Sequence, residues 1–305
     1  MVLKYDLLAA LFSVCAVFAR SVSVPDSKSN PDSDSDSLSG PSLASRAYMI
    51  KGTKMTDLTG ILWPGDVVWC LDSSDNKEHE LILDMAEKSW KMWRDVIGDE
   101  SVLEFAPVHD KKPECSKYRG KIDMLEIKLN NEKKILSYNG YVKGDNRLDF
   151  DLSATYGART PLVNFAHELG HVFGLLHTHQ QRRAWPSLLN LNCQNLGDYD
   201  RLKERGVDVD KICEDLDQQA AEANKFWAEH ILPDSNVQND VIEDDKFDWD
   251  SIMLYDSYAF AKPGTVALVK ADGSHIPVNV KPSKGDGEAI RTLYPGEESS
   301  DYDSD

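Results

Sequence analysis

The stretch "FAHELGHVFGLLHTHQ" (165–180) constrains this chain more than any other, because it places four histidines and a glutamate among apolar residues. The chain contains eight histidines in all, so half of them lie here. Ionisable side chains are rarely buried unless they pair with one another or bind an ion. The stretch therefore predicts a buried helix that carries a metal site.

The spacing of these histidines predicts that they bind one zinc ion. His167 and His171 are four residues apart, which places both imidazoles on the same face of a helix. The Thr-Pro pair at 160–161 predicts the start of that helix, and Gly174 predicts its end. The tight turn that glycine allows brings His177 back toward the same ion.

Three imidazoles with one open coordination position are typical of a catalytic zinc site rather than a structural one. Glu168 follows the first histidine and is predicted to act as the general base that takes a proton from water. His179 lies outside the ligand spacing and is predicted to be either solvated or at the edge of the cleft, with no role in catalysis. These residues together predict zinc-dependent hydrolysis of peptide bonds.

The pattern H-E-x-x-H-x-x-G-x-x-H is the signature of the metzincin zinc endopeptidases, which also require a methionine turn. "DSIMLYDSYAF" (250–260) resembles the methionine turn of the astacin family. The resemblance implies that Met253 packs beneath the ligands. It also implies that Tyr255 is a further, displaceable zinc ligand and stabilises the oxyanion. Other segments similar to that family are "LWPGDVV" (62–68), "LSYNGY" (136–141) and "DGEAIRTLYPG" (286–296).

The chain departs from the astacin pattern in two places. Thr178 stands where astacins have a glutamate directly after the third histidine, and Ile135 stands where they have a cysteine. Residues 20 to 60 contain no match to the inhibitory F-x-G-D motif of the family's prosegment. The serralysins are the nearest rival family, but the chain has no G-G-x-G-x-D calcium repeats. A catalytically silent, secreted binding protein is the alternative from another functional class.

The pattern of apolar residues predicts an α+β fold. Strands are predicted within 66–72, 102–108, 121–129 and 135–151, and a long helix within 78–98, before the histidine helix. The helix within 78–98 has an apolar stripe formed by Ile82, Ala86, Trp90, Trp93 and Ile97. The resemblance implies a zincin (metzincin) fold. In that fold an N-terminal subdomain has a twisted mixed sheet and two long helices, and zinc lies in the cleft before an irregular C-terminal subdomain. The charged region from 185 to 248 is predicted to contain one or two helices.

The first residues of the chain have the composition of a secretion signal, and the segments that follow it and end the chain have that of disordered tails. Residues 1–19 are predicted to be a signal peptide, because a lysine precedes the apolar run from Leu7 to Phe18, and Val17 and Ala19 suit the positions before a signal cleavage. An N-terminal membrane anchor is the alternative, but the run is shorter than the roughly 20 residues that span a bilayer. Residues 20–52 are predicted to form a disordered acidic, serine-rich prosegment or linker, removed by cleavage between Arg46 and Met55. The catalytic domain is placed at 53–296 and a disordered acidic tail at 297–305. The protein is therefore predicted to be secreted, with no membrane insertion after signal removal.

Removal of the signal peptide takes Cys15 and leaves four cysteines, an even number typical of an oxidising compartment. Cys70 with Cys115 and Cys193 with Cys213 are the predicted disulfides, because each pair is local. The two other pairings remain open. A four-cysteine zinc site is disfavoured by the wide spacing.

The formal net charge is −18, which predicts a surface that repels nucleic acid. The predicted partners are one catalytic zinc ion and protein or peptide substrates. The enzyme is predicted to be a monomer.

Overall fold

A computed structural model describes residues 48–50, 62–153, 159–234, 241–243 and 246–296. The predicted signal peptide (1–19), the tail (297–305) and all but residues 48–50 of the segment 20–52 lie outside the described residues. Residues 48–50 form a strand, so these three residues of the serine-rich range are part of the folded domain. Within the described ranges, no helix is long and apolar enough to cross a membrane.

The first part of the domain is built on a five-stranded mixed sheet. Its strands are β2 (Val67–Leu71), β3 (Phe105–Pro107), β4 (Leu125–Leu129), β5 (Leu136–Ser137) and β6 (Arg147–Phe150). They lie in the order β3-β2-β4-β6-β5. Strands β3, β2, β4 and β6 are parallel to one another, and β5 is antiparallel to β6. This antiparallel strand at one edge confirms the prediction of a mixed sheet.

Two long helices cover this sheet, as predicted. Helix α1 (Asn76–Ile97) begins after Asp75, whose side chain accepts a hydrogen bond from the backbone of Lys77, and ends at Gly98. Gly98 has a φ of 68°, a conformation that glycine adopts without steric cost. Helix α2 (Pro161–Val172) packs against α1. The apolar stripe of α1 faces the core that these helices share with the sheet.

The second part of the domain is less regular. It contains α3 (Tyr199–Glu204), α4 (Val209–Glu214), α5 (Gln218–Asn224) and the antiparallel pair β7 (Leu189–Leu191) and β9 (Leu268–Lys270). The described residues of 185–248 form three short α-helices, where the sequence predicts one or two. The side chains of Asp208 and Asp217 cap α4 and α5, so polar side chains inside this charged region begin new helices instead of extending one.

Two further elements tie the ends of the described chain to these parts. Strand β1 (Tyr48–Ile50) pairs with β8 (Val241–Glu243), and helix α6 (Lys284–Leu293) packs on α1. Both predicted disulfides are confirmed: Cys70 is bonded to Cys115 and Cys193 to Cys213.

The two parts have separate hydrophobic cores that meet at the methionine turn. Ile252 and Met253 belong to the first core, whereas Leu254 and Tyr255 belong to the second. The predicted α+β architecture, with a mixed sheet, two long helices and an irregular second part, is therefore confirmed. The histidine helix lies where the two cores meet.

Candidate metal centre

Helix α2 presents the first two histidines as the sequence predicts. The Thr160 side chain accepts a hydrogen bond from the backbone N–H of Val163, and Pro161 occupies the first turn. His167 and His171 are 4% and 3% exposed. Glu168, on the same helix, is 2% exposed. Three ionisable side chains buried on one helix need nearby hydrogen-bond partners, opposite charges or a metal ion to offset the cost of removing them from water.

Gly174 produces the turn that returns the chain toward α2. Its φ is +103°, and its backbone N–H donates to the carbonyl of His171 at 2.8 Å. A Cβ at this position would lie 3.0 Å from two side-chain carbons of Ile50. Both the conformation and the space therefore require glycine here. The turn brings His177, 6% exposed, next to the other two histidines.

The Nε2 atoms of the three histidines converge. Nε2 of His177 lies 3.2 Å from Nε2 of His167 and 3.1 Å from Nε2 of His171. Zinc–nitrogen bonds of 2.0–2.1 Å at tetrahedral angles separate two ligand nitrogens by roughly 3.3 Å. Among the described residues, these three form the one cluster of metal-ligating side chains. The donor set and its spacing therefore fit a tetrahedral zinc ion with one position left for another ligand.

Hydrogen bonds on the opposite side of each ring orient the first two imidazoles. Nδ1 of His167 lies 2.8 Å from the carbonyl of Ile252, and Nδ1 of His171 lies 2.9 Å from the carbonyl of Leu175. A carbonyl can only accept, so each Nδ1 carries a hydrogen and each Nε2 keeps a lone pair. This arrangement is typical of histidines that bind a metal through Nε2.

Gln180 completes the set by holding the third histidine. Its side-chain oxygen lies 3.1 Å from Nδ1 of His177. Its amide nitrogen donates to the carbonyls of Leu232 and Glu229, at 3.3 and 3.4 Å, which fixes the orientation of the amide. All three imidazoles therefore direct a lone pair toward the same point.

Burial keeps the three histidines neutral. Desolvation lowers the pKa of His171 to about 4 and lowers the pKa of His167 and His177 well below the usual value. The positive charge of Arg159 lowers the pKa of His167 further. Neutral imidazoles are the form that binds metal, so the site is ready to bind a cation at neutral pH.

Glu168 is held by a serine from the edge strand. The hydroxyl of Ser137, on β5, donates to Oε2 of Glu168 at 2.6 Å. Burial raises the pKa of Glu168 to about 7, although the hydrogen bond from Ser137 and the charge of Arg159 oppose this rise. A carboxyl group with a pKa near neutrality is suited to accept and release a proton.

Met253 lies directly beneath helix α2. A Cβ on Gly170 would come within 2.5 Å of the Met253 sulfur and 3.1 Å of the Trp93 ring. Glycine in the middle of a helix costs about 1 kcal/mol relative to alanine, and here it makes room for the sulfur. The carbonyl of Met253 also accepts a hydrogen bond from the backbone of Thr178, at 3.1 Å. The methionine turn thus contacts the segments on both sides of Gly174.

Tyr255 lies beside the histidine cluster. The centroid of its ring is 4.5 Å from that of His177 and 6.2 Å from that of His167. The side chain is 6% exposed. The structure therefore places the tyrosine that follows the methionine turn close to two of the three histidines.

The predicted solvated position of His179 is wrong. His179 is fully buried, and its ring stacks on Tyr255 with centroids 4.3 Å apart. Its Nε2 donates to the carbonyl of His230, and its Nδ1 accepts from the backbone N–H of Tyr255. Burial lowers its pKa to about 3. His179 is thus a neutral side chain that packs behind Tyr255, held by a carbonyl 51 residues further along the chain.

Thr178, the position that departs from the astacin pattern, begins a buried chain of hydrogen bonds. Its hydroxyl donates to Ser251 at 2.9 Å, and the Ser251 hydroxyl donates to Asp286 at 2.7 Å. Asp286 also accepts from the backbone N–H groups of Ile252 and Ser283, at the start of α6. The residue after the third histidine is therefore linked to both the methionine turn and the C-terminal helix.

The structure adds four residues that sequence reasoning did not assign to the site: Ser137, Arg159, Gln180 and Ser251. Each touches a predicted site residue or the methionine turn. Ser137, Gln180 and Ser251 lie inside the segments quoted above, but neither the spacing nor the resemblance assigns them these contacts, and Arg159 lies outside those segments.

The sequence matches no protein-family model and none of the curated proteins. The structure is similar to that of high choriolytic enzyme 1, a hatching enzyme zinc-protease from Oryzias latipes (medaka fish). The two chains are 14% identical in sequence, the TM-score is 0.46, and the match covers 76% of this chain and 94% of that chain. The structure is also similar to that of myroilysin, with 16% sequence identity and a TM-score of 0.47, over 82% of this chain and 100% of that chain.

Proposed function

We propose that this protein is a secreted zinc-dependent endopeptidase of the astacin type. The observation that carries the proposal is the convergence of three neutral imidazoles, with Nε2 of His177 within 3.2 Å of the other two, beside a buried glutamate on helix α2. Structural zinc sites are closed by four protein ligands. Among the described residues, no fourth histidine, cysteine or carboxylate joins this cluster. His167, His171 and His177 are therefore proposed as ligands of one catalytic zinc ion.

In this proposal Glu168 moves the proton during hydrolysis. His167, His171 and His177 would hold the zinc ion, which would lower the pKa of a bound water to ~7 and would polarise the scissile carbonyl. Glu168 accepts the proton that the attacking water loses and delivers it to the nitrogen of the departing amine. Its hydrogen bond from Ser137 keeps the carboxylate oriented during both transfers. Its pKa near 7 lets it act in both directions at neutral pH.

Tyr255 is proposed as the fourth, displaceable ligand and as an oxyanion donor. Its ring lies beside His177 and is backed by His179. When not bound to the ion, its hydroxyl would donate a hydrogen bond to the oxygen that becomes negative during attack on the peptide carbonyl.

The wider proposal is that the enzyme acts outside the cell, as a monomer, on proteins or peptides. The predicted signal peptide and the two disulfides support an oxidising compartment. A prosegment is proposed to be removed on maturation by cleavage in the predicted window between Arg46 and Met55, at a bond before Tyr48, because strand β1 (Tyr48–Ile50) pairs with β8 in the folded domain. The acidic net charge argues against nucleic acid as a partner.

The proposal is tested with three forms of the secreted protein: wild type, Glu168→Gln and Glu132→Gln. Glu132 is exposed and serves as the matched control. We expect wild type and Glu132→Gln to cleave casein, and phenanthroline to abolish cleavage until zinc is restored. Glu168→Gln should retain zinc and lose roughly 100- to 10,000-fold in rate.

Two results would overturn the proposal. The first is a folded, processed, zinc-loaded wild type that shows no chelator-sensitive cleavage, which would favour the binding-protein alternative. The second is unchanged cleavage by Glu168→Gln.

A further inference from the structure

Arg159 is a buried charged residue that the proposed hydrolysis does not use. It directly precedes the capping residue of α2 and is 4% exposed. An uncompensated charge in a protein interior costs several kcal/mol, so a buried guanidinium is expected to have dense polar contacts. The contacts of Arg159 all lie around the metal centre.

The guanidinium holds the methionine turn beside the first histidine. Its Nη2 donates to the carbonyl of Ile252 at 2.9 Å and to that of Leu254 at 2.8 Å. Its Nη1 lies 2.9 Å from Nδ1 of His167, which is a contact between two donors and not a hydrogen bond in the tautomer that binds metal through Nε2. The two carbonyls flank Met253 on either side. One side chain therefore holds both ends of the turn that supports the histidine cluster.

The carbonyl of Ile252 is shared between Arg159 and the first histidine. It accepts from Arg159 and also lies 2.8 Å from Nδ1 of His167. In the tautomer that binds metal through Nε2, the Nδ1–H donates to this carbonyl. Arg159 thus acts on the histidine through the oxygen that orients the ring. A planar guanidinium can hold two acceptors in fixed geometry, which an ammonium group cannot do in the same way.

The two carbonyls that Arg159 binds belong to residues in different hydrophobic cores. Ile252 lies in the first core and Leu254 in the second, and Tyr255 follows directly. The buried carboxylate of Asp256 supplies the largest favourable charge interaction with Arg159. Arg159 therefore interacts with both neighbours of Tyr255: it donates to the carbonyl of Leu254 and is attracted to the carboxylate of Asp256.

We propose that Arg159 is a positioning residue of the metal centre, which sets the orientation of His167 and the path of residues 252–255 toward the metal. The inference rests on the proposed function, because it takes the histidine cluster to be a zinc site. It goes beyond that function by assigning the metal affinity and the placement of Tyr255 to a residue that touches neither metal nor substrate.

The test compares Arg159→Lys with Arg291→Lys in the full chain. Arg291 is a matched control, because its Nη1 also donates to two backbone carbonyls, those of Val96 and Ile97, but at the end of α1. Zinc affinity is measured by competition with a chromogenic chelator, and folding by thermal unfolding. The cobalt-substituted proteins are compared by visible absorption, which reports the coordination geometry of the ion.

We expect Arg159→Lys to bind zinc about 10- to 100-fold more weakly than wild type and to show an altered cobalt spectrum. Arg291→Lys should keep the wild-type zinc affinity and spectrum, even if its unfolding temperature falls. A folded Arg159→Lys with wild-type zinc affinity and an unchanged cobalt spectrum overturns the inference.

A second measurement applies if Arg159→Lys does not fold. A crystal structure of the zinc-loaded wild type should show Nη2 of Arg159 hydrogen-bonded to the carbonyls of Ile252 and Leu254, and the loss of both contacts overturns the inference. None of these readings uses peptidase activity. Zinc binding without cleavage by wild type would refute the proposed function alone, whereas wild-type affinity in folded Arg159→Lys refutes the inference alone.

Discussion

Ser137 donates a hydrogen bond of 2.6 Å to Glu168, across the contact between the edge strand β5 and helix α2. Both side chains are buried, at 3% and 2% exposure. A hydrogen bond to a charged group contributes about 1.5–3 kcal/mol, more than a neutral one. The edge strand therefore orients the proposed general base, in addition to completing the sheet.

Replacing Ser137 tests this role. Ser137→Ala should lower kcat by roughly 10- to 100-fold, because the carboxylate loses the donor that orients it. Zinc content and KM should stay close to the wild-type values. Ser137→Thr, which keeps the hydroxyl and suits a strand, should restore most of the activity. Equal kcat values for the alanine and threonine variants would show that the hydroxyl is not needed. The measurement is steady-state hydrolysis of a fluorogenic peptide.

The sequence predicts the histidine cluster well because the needed geometry is local. His167 and His171 are one helical turn apart, and Gly174 is the residue type that a turn with positive φ requires. The disulfides are predictable for a different reason: removal of the signal peptide leaves four cysteines, which allow only three pairings, and the pairing of sequence neighbours is the one found.

Ser137 and the carbonyl that orients His167 could not be predicted because they come from distant segments. Ser137 is 31 residues from Glu168, and the carbonyl that holds Nδ1 of His167 is 85 residues away. Such pairings depend on how distant segments pack against one another, which no periodicity reveals. The burial of His179 is hidden from the sequence for the same reason: its partners, the carbonyl of His230 and the ring of Tyr255, are supplied by later segments.

Gly174 offers a test of how the third ligand is placed. Gly174→Ala should cost about 1–3 kcal/mol of stability from its positive φ and should also weaken zinc binding, because the crowding against Ile50 displaces the segment leading to His177. Gly206→Ala is the matched control, since Gly206 has a φ of +83° and a Cβ added there would meet no atom within 4 Å. The control should lose stability but not zinc affinity. Unfolding in urea and zinc competition measure the two effects, and equal zinc affinity in both variants would contradict this account.

The buried histidines predict acid sensitivity of the zinc-free protein. Burial lowers the pKa of His171 to about 4 and that of His179 to about 3, from 6.5 in the unfolded chain. Between pH 6.5 and the lowered pKa values, the unfolded state binds more protons than the folded state, so the free energy of unfolding rises with pH. The free energy of unfolding therefore reaches its full value above pH 6.5, and falls as the pH is lowered toward 4.

Urea unfolding of the zinc-free protein at several pH values from 7 to 4.5 measures this dependence. His179→Gln keeps a donor for the carbonyl of His230 and should reduce the slope by up to about 1.4 kcal/mol per pH unit. A free energy of unfolding that does not change across this range would contradict the prediction.

Tyr255 should affect turnover more than zinc binding. Tyr255→Phe removes the proposed oxyanion donor while keeping the ring that stacks on His179, so kcat should fall roughly 100- to 1,000-fold. Zinc affinity should change much less, because the three histidines remain. Tyr258→Phe is the control, since Tyr258 lies three residues on and is 49% exposed. An unchanged turnover number in Tyr255→Phe would rule out the hydroxyl as the donor.

Thr178 allows a test of why this chain departs from the astacin pattern. The residue is 2% exposed, and its hydroxyl donates to Ser251, which in turn donates to the buried carboxylate of Asp286. Thr178→Glu replaces the first donor of this series of hydrogen bonds with a carboxylate, which when ionised can only accept a hydrogen bond. Burial already raises the pKa of Asp286 to about 6, so a second carboxylate in the same network should be strongly unfavourable.

We therefore expect Thr178→Glu to lower the free energy of unfolding by about 3 kcal/mol or more, and Thr178→Ser, which keeps the donor, to remain within about 1 kcal/mol of wild type. Chemical unfolding of the two variants beside wild type measures both values. A Thr178→Glu protein as stable as wild type would mean that the network accepts the glutamate that astacins have at this position. The threonine would then have no role in compensating Asp286. If the loss is observed, the hydrogen-bond chain from Thr178 to Asp286 requires a hydroxyl at the residue after the third histidine.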